Sequence, residues 1–273
     1  MNNQPNVVII TSNQLRHRYF CLQLSIHLNI TGIIAESKST TTTDYPVFNI
    51  QDQKLVEKHF KERDEVEKQM LGREIDFPEA DILTVNFGEV NNNVTFDWIR
   101  GHNPDLILLY GSSIIKEPIL SFYKNKIINL HLGLSPYYKG SATNFWPFVY
   151  NQPECVGGTI HLAVEKVDAG SILHQFRPEF EENDKVHEIG TKTIIKATNL
   201  IPLVVDKYLS NETHPVAQNQ KTGRIFRNKD FNADVLKKAW HNFDNGMIHE
   251  LLLHGKERYN RFPIIEINLQ LQH

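Results

Sequence analysis

Short apolar runs recur along the first two thirds of the chain, each closed by turn residues and followed by a segment of helical period. Val7, Val8, Ile9 and Ile10 form a β-branched run, and Thr11, Ser12 and Asn13 close it. Residues 17–27 then read as a helix and residues 30–35 as a second strand, a β-α-β unit of the length a parallel crossover needs. Residues 37–44 are polar and Thr-rich, a surface loop. Residues 56–71 carry opposite charges at helical spacing, such as Glu57 with Lys61, and predict a solvated helix. Residues 82–85 predict a strand and 94–102 a helix. Residues 104–110 are apolar on both faces, as a central parallel strand is.

A helix is expected over 117–123 and a strand over 126–130, ending at His131. Residues 157–164 and 172–176 read as two later strands and 186–209 as a long helix. Beyond residue 210 the texture changes. Residues 223–226 predict a strand, 233–242 and 246–253 helices, and 262–269 a terminal strand. The alternation predicts an α/β fold, a Rossmann-like open, mostly parallel sheet with a small C-terminal α+β extension. The expected division is 1–210 and 211–273. An exposed terminal strand is expected to pair across a homodimer, because free edges are generally covered.

The composition narrows the class. The 273 residues are 40% hydrophobic and 22% charged, ordinary for a globular chain. The formal net charge of −3 argues against a dedicated nucleic-acid binder. No apolar stretch is long enough to span a bilayer. The first residues lack a basic region and a long apolar core, so the chain is expected in the cytoplasm. Two cysteines, Cys21 and Cys155, make no disulfide framework. The dinucleotide glycine fingerprint, the P-loop, His-Glu-x-x-His, Cys-x-x-Cys and Gly-x-Ser-x-Gly are all missing, and no metal is expected.

Ligands on open α/β sheets bind beyond the carboxyl ends of the strands. There the informative stretch is 127–140. Asn129 and His131 stand two apart at a strand end, so their side chains point to one side. An amide that can polarise a carbonyl then lies beside an imidazole that can take a proton. Further on, Asp168 sits in a glycine-containing turn. An aspartate against an imidazole raises its pKa and fixes its tautomer.

At these residues the sequence resembles a family. Asn129-x-His131, then Leu134-Ser135-Pro136-x-Tyr138-x-Gly140, then Asp168-x-Gly170-x-Ile172-Leu173, look like the folate-dependent N-formyltransferases. That family includes methionyl-tRNA, glycinamide ribonucleotide and nucleotide-sugar formyltransferases. Ser135 departs from it, since a second leucine is frequent there. The resemblance implies transfer of the formyl group of N10-formyltetrahydrofolate to a primary amine, with Asn129, His131 and Asp168 as the catalytic residues. In this reading Asn129 and a protonated His131 donate to the oxyanion, and Asp168 steadies the imidazolium.

The resemblance places the folate beside Leu109, Tyr110, Gly111, Ser112 and Ile114, and against Val167 and Gly170. Gly111 is expected at the ligand because a missing side chain permits close approach. The acceptor is expected near Tyr137, Lys139, Asn144 and Trp146, with Arg16 in a small basic cluster that can hold a phosphate. The layout is closest to the nucleotide-sugar enzymes. A short tail and the charge of −3 disfavour tRNA. The implied partner is a small-molecule amine, a nucleotide-linked amino sugar, in lipopolysaccharide or surface-glycan assembly. Other amine acceptors, a formyltetrahydrofolate hydrolase and a non-catalytic folate-binding protein stay as alternatives.

Overall fold

Val7 and Ile9 point into one apolar layer and Val8 and Ile10 into another. The first strand of the computed structural model is therefore covered on both faces, which is why its sequence is a continuous apolar run. The structure describes residues 4–38, 46, 49–219 and 221–269. The Thr-rich part of the expected 37–44 loop lies outside them.

The chain runs β1 (Asn6–Ser12), α1 (Leu15–Ser25), β2 (Asn29–Glu36), α2 (Ile50–Leu71), β3 (Asp81–Val85), α3 (Asn93–Gly101), β4 (Leu106–Leu109), α4 (Ile119–Phe122) and β5 (Ile127–His131). It continues through β6 (Tyr138–Gly140), α5 (Trp146–Val149), β7 (Gly158–Leu162), β8 (Ile172–Phe176), α6 (Val186–Leu209), β9 (Arg224–Phe226), α7 (Ala233–Asp244) and α8 (Met247–Asn260). A seven-stranded sheet has the order β3-β2-β1-β4-β5-β7-β8. Its first five strands are parallel, and β7 and β8 turn antiparallel. This is the Rossmann-like, mostly parallel α/β fold that the alternation predicts.

One face packs Phe20, Cys21 and Leu24 of α1 and Ile194, Ala197 and Ile201 of α6. The other packs Ile99 of α3 and Ile119 of α4. Helix α2 starts at Ile50, well before the expected residue 56, because the Asn49 side chain accepts the Asp52 N–H and caps it. Among the described residues no helix is long and apolar enough to cross a membrane.

A third core joins the middle of the chain to residues beyond 210. Tyr138, Phe145 and Phe148 pack with Phe226, Leu236, Ala239 and Ile248. Strand β9 pairs in parallel with β6. The change of texture at residue 210 is thus a change along the chain, while in space residues beyond it share a core with those before it.

The terminal strand expected over 262–269 is not formed. Residues 263–269 run without assigned strand structure beside β8 of the same chain. The Gln175 N–H donates to the Ile265 carbonyl at 2.6 Å, and the Ile267 N–H donates to His174 Nδ1 at 3.1 Å. Part of the segment's hydrogen bonding therefore goes to this chain's own sheet edge.

Candidate active site

On β5, Asn129 and His131 alternate with Ile128 and Leu130, which enter the core under α1 and α6. The two polar side chains therefore share the opposite face. The antiparallel register sets their neighbours: His161 stands opposite Asn129, and Thr159 opposite His131. Asn129 Nδ2 lies 3.0 Å from His161 Nε2, and His161 Nδ1 lies 2.8 Å from the Leu162 carbonyl oxygen. A carbonyl only accepts, so Nδ1 carries the hydrogen and Nε2 accepts from the Asn129 amide.

Asp168 comes from the loop between β7 and β8, with φ of +50°, a left-handed conformation that aspartate tolerates better than most residues. Its Oδ1 lies 3.3 Å from His131 Nδ1 and 3.8 Å from His161 Nε2. The Gly140 N–H donates to its other oxygen at 2.8 Å. Gln218 donates to the carbonyls of Asp168 and Gly170, which fixes the loop from the far side. Burial pushes the Asp168 carboxyl up, but His131 and the Gly140 N–H oppose it, and the carboxyl is held at about 2.

His131 is 6% exposed. Burial lowers its pKa below the usual histidine value, against the opposing pull of Asp168 and of the Tyr138 carbonyl. Its Nε2 lies 3.0 Å from that carbonyl oxygen. The lowered pKa favours a neutral ring facing an anionic Asp168. A neutral ring carries one N–H, yet both nitrogens face oxygen acceptors. With the N–H toward Asp168, the Nε2 lone pair meets a carbonyl, a contact that protonation relieves. Gly133 keeps this space clear, since a Cβ there would stand 2.7 Å from His131 Nε2.

Among the expected folate residues, Leu109 and Tyr110 turn into the core. The Tyr110 ring packs against His17 and Phe20, and its N–H is spent on Ile10. Their side chains are therefore closed to a ligand. Gly111 is required by its own fold: a Cβ there would stand 2.4 Å from His17 Nε2. Ser112 is half-buried, Ile114 and Val167 expose 53% and 43% of their surface, and Gly170 is buried.

Among the expected acceptor residues, Trp146 is a core residue, stacked on Phe226 at 4.5 Å with its indole N–H donated to the Ser141 carbonyl. Arg16 is ion-paired with Glu67 at 2.6 Å, which takes it from the basic cluster. Tyr137 donates its hydroxyl to the Pro263 carbonyl. Lys139 is buried and donates to the Thr222 carbonyl at 3.3 Å. Burial and Lys166 push its ammonium down, and Asp168 pulls it up. Asn144 accepts from the Gly157 N–H, and its buried Nδ2 has no hydrogen-bond partner among the described residues.

The structure therefore gathers Asn129, His131 and Asp168 into one buried cluster and adds His161, which the sequence reading missed. Its available signal was the polar alternation of Thr159 and His161 inside an apolar strand. Among the described residues no three His, Cys, Asp or Glu side chains stand together as a metal site.

Methionyl-tRNA formyltransferase of Finegoldia magna is 29% identical over 147 residues, 53% of this chain and 46% of that protein. The bifunctional polymyxin resistance protein ArnA of Wigglesworthia glossinidia brevipalpis is 30% identical over 150 residues, 55% of this chain and 21% of that one. The chain thus spans about half the length of the first and about a fifth of the second. The fold is shared with phosphoribosylglycinamide formyltransferase of Anaplasma phagocytophilum, at TM-score 0.55 and 16% identity over 82% of this chain and 99% of that one. A sugar N-formyltransferase from a Shewanella species shares it at TM-score 0.51 and 16% identity, over 82% of this chain and 76% of that one. Residues 25–205 match the family model described as formyl transferase. That span runs from the end of α1 into α6 and holds the whole Asn129, His131, Asp168 and His161 cluster, so the chain belongs to the formyl transferase family.

Proposed function

We propose that this protein transfers the formyl group of N10-formyltetrahydrofolate to a primary amine, with Asn129, His131 and Asp168 as catalytic residues. The observation that carries the reading is the buried contact of 3.3 Å between Asp168 Oδ1 and His131 Nδ1, on the face that Asn129 shares. Ser112, Ile114, Val167 and the Gly170 backbone stand on the folate side in this reading. Tyr137, Lys139 and Asn144 stand on the acceptor side.

The neutral amine attacks the formyl carbon, and the carbonyl electron pair moves onto oxygen. The Asn129 amide, oriented by His161, donates to that oxyanion. His131 takes the proton the amine loses, and Asp168 stabilises the imidazolium. The proton is returned to the folate nitrogen as its bond to carbon breaks, and the formamide carbonyl re-forms. Burial then restores the neutral ring. Much of the rate comes from holding two substrates in line.

The acceptor proposed is the amino group of a nucleotide-linked sugar. Gln218 bonds to the Asp168 loop and β9 pairs with β6, and these residues of the same chain beside the site support a small acceptor. The test is release of tetrahydrofolate from N10-formyltetrahydrofolate with a panel of amines. The panel holds dTDP-, UDP- and GDP-linked amino sugars, methionyl-tRNA and glycinamide ribonucleotide. Release that requires an amino sugar nucleotide is the expected result. Release with methionyl-tRNA moves the acceptor, release without any amine makes the protein a hydrolase, and no release removes the reading.

A further inference from the structure

A row of residues crosses the sheet from His131 to Ile265. Thr159 pairs with His131 across β5 and β7, and Gln175 pairs with Thr159 across β7 and β8. Ile265 closes the row against the Gln175 backbone. The Gln175 amide uses every hydrogen-bonding group it points inward. Its Oε1 accepts from the Ile265 N–H at 3.0 Å, while its Nε2 donates to the Ser135 carbonyl at 2.6 Å and to Thr159 Oγ1 at 3.0 Å. Thr159 Oγ1 in turn donates to the Gly133 carbonyl at 2.7 Å and accepts from the Ser135 N–H at 3.0 Å. All three side chains are closed to solvent: Gln175 is 1% exposed, Thr159 0% and Ser135 0%.

The backbone pinned by these bonds is the loop that leaves His131 and returns to it. It begins at Gly133, whose missing Cβ makes room for His131 Nε2, and ends at the Tyr138 carbonyl that faces the same nitrogen. We propose that Gln175 is a positioning residue for His131, and that through it the segment around Ile265 holds the loop that sets the environment of the imidazole. The role of His131 in transfer rests on the function proposed above. The coupling itself rests only on the hydrogen-bonded row. A tail that merely covered the edge of β8 would need the backbone bond at Gln175 and no link to Ser135.

Two variants separate these readings. Gln175→Glu keeps an acceptor for the Ile265 N–H and replaces the double donor with an oxygen that faces two oxygens. Ile265→Pro removes the N–H and leaves Gln175 in place. Each is compared with the wild type by thermal unfolding, by kcat and KM for both substrates, and by NMR titration of the His131 ring. The expected result for Gln175→Glu is a kcat lower by about 10- to 100-fold, the range a misplacement near 1 Å produces, with KM values nearly unchanged. The His131 titration moves as well. Ile265→Pro shifts both in the same direction by less. Unchanged kcat and an unchanged His131 titration in folded Gln175→Glu overturn the proposal, whatever its melting temperature. If that variant does not fold, the same null result in Ile265→Pro overturns it. If the wild type transfers no formyl group, the titration needs no substrate and decides alone.

Discussion

Asn129 and His161 face each other across an antiparallel strand pair, with the amide nitrogen 3.0 Å from the imidazole Nε2. The histidine is locked as an acceptor because its other nitrogen gives its hydrogen to the Leu162 carbonyl. The amide is therefore aimed before any substrate arrives. His161→Leu removes the acceptor and lets the amide turn. A fall in kcat of about 10- to 100-fold is expected, within the cost of losing or misaiming an oxyanion donor. Steady-state kinetics on the folded variant check it, and a change under twofold would make His161 a packing residue.

Asp168→Asn is expected to act on both rate and pH dependence. The carboxylate raises the His131 pKa against the lowering effect of burial. Its loss lets the imidazole pKa fall further, so the acid limb of kcat/KM moves to lower pH. The amide also presents a donor to His131 Nδ1 and favours the other tautomer, so kcat falls by about 10² or more. His131→Ala is expected to lose about 10²- to 10⁴-fold with its melting curve retained. A pH–rate profile of Asp168→Asn that overlays the wild type would place Asp168 outside the mechanism.

Acid should destabilise the fold earlier than its carboxylates alone would. Burial lowers His59 to about 2 and His174 and His187 to about 4. In the unfolded chain each titrates near 6.5. Below that pH the unfolded state holds protons that the folded state refuses, so stability drops as pH falls. The window runs from about 6.5 down to the folded values, at about 1.4 kcal/mol per pH unit from each histidine. Denaturant unfolding at pH 7.5, 6 and 5 measures the slope, and equal stabilities at all three would contradict it.

Trp146→Ala tests the assignment of that ring to the core. Its indole stacks on Phe226 and its N–H is satisfied internally, with only 3% of the residue exposed. A loss of about 3–5 kcal/mol is expected, the range for emptying a large aromatic site. A stable variant with a raised KM for the amine would restore Trp146 to the acceptor site.

The sequence was most legible where one local rule decides the outcome. The bounds of α6 follow from its period, and the shared face of Asn129 and His131 follows from the two-residue repeat of a strand. Asp168 reached the cluster through resemblance, since spacing does not reveal which loop folds back on β5. His161 escaped because it meets Asn129 through a register between strands, which no local pattern encodes. The surroundings of Arg16 and Trp146 are hidden from the sequence for a related reason. Each has its partner far along the chain, Glu67 for the charge and Phe226 for the ring. The 262–269 segment has strand composition, but it lies along an edge where side chains of β8 take part of the hydrogen bonding.

The core shared by Tyr138, Phe145 and Phe148 with Phe226, Leu236 and Ile248 limits how this chain can be rebuilt. A chimera that grafts a relative's tail after residue 210 would set foreign side chains against an unmatched aromatic surface. The graft has to carry its own counterparts of 138–148 to pack. A substitution in either stretch is therefore felt by the other, although the two lie far apart along the chain.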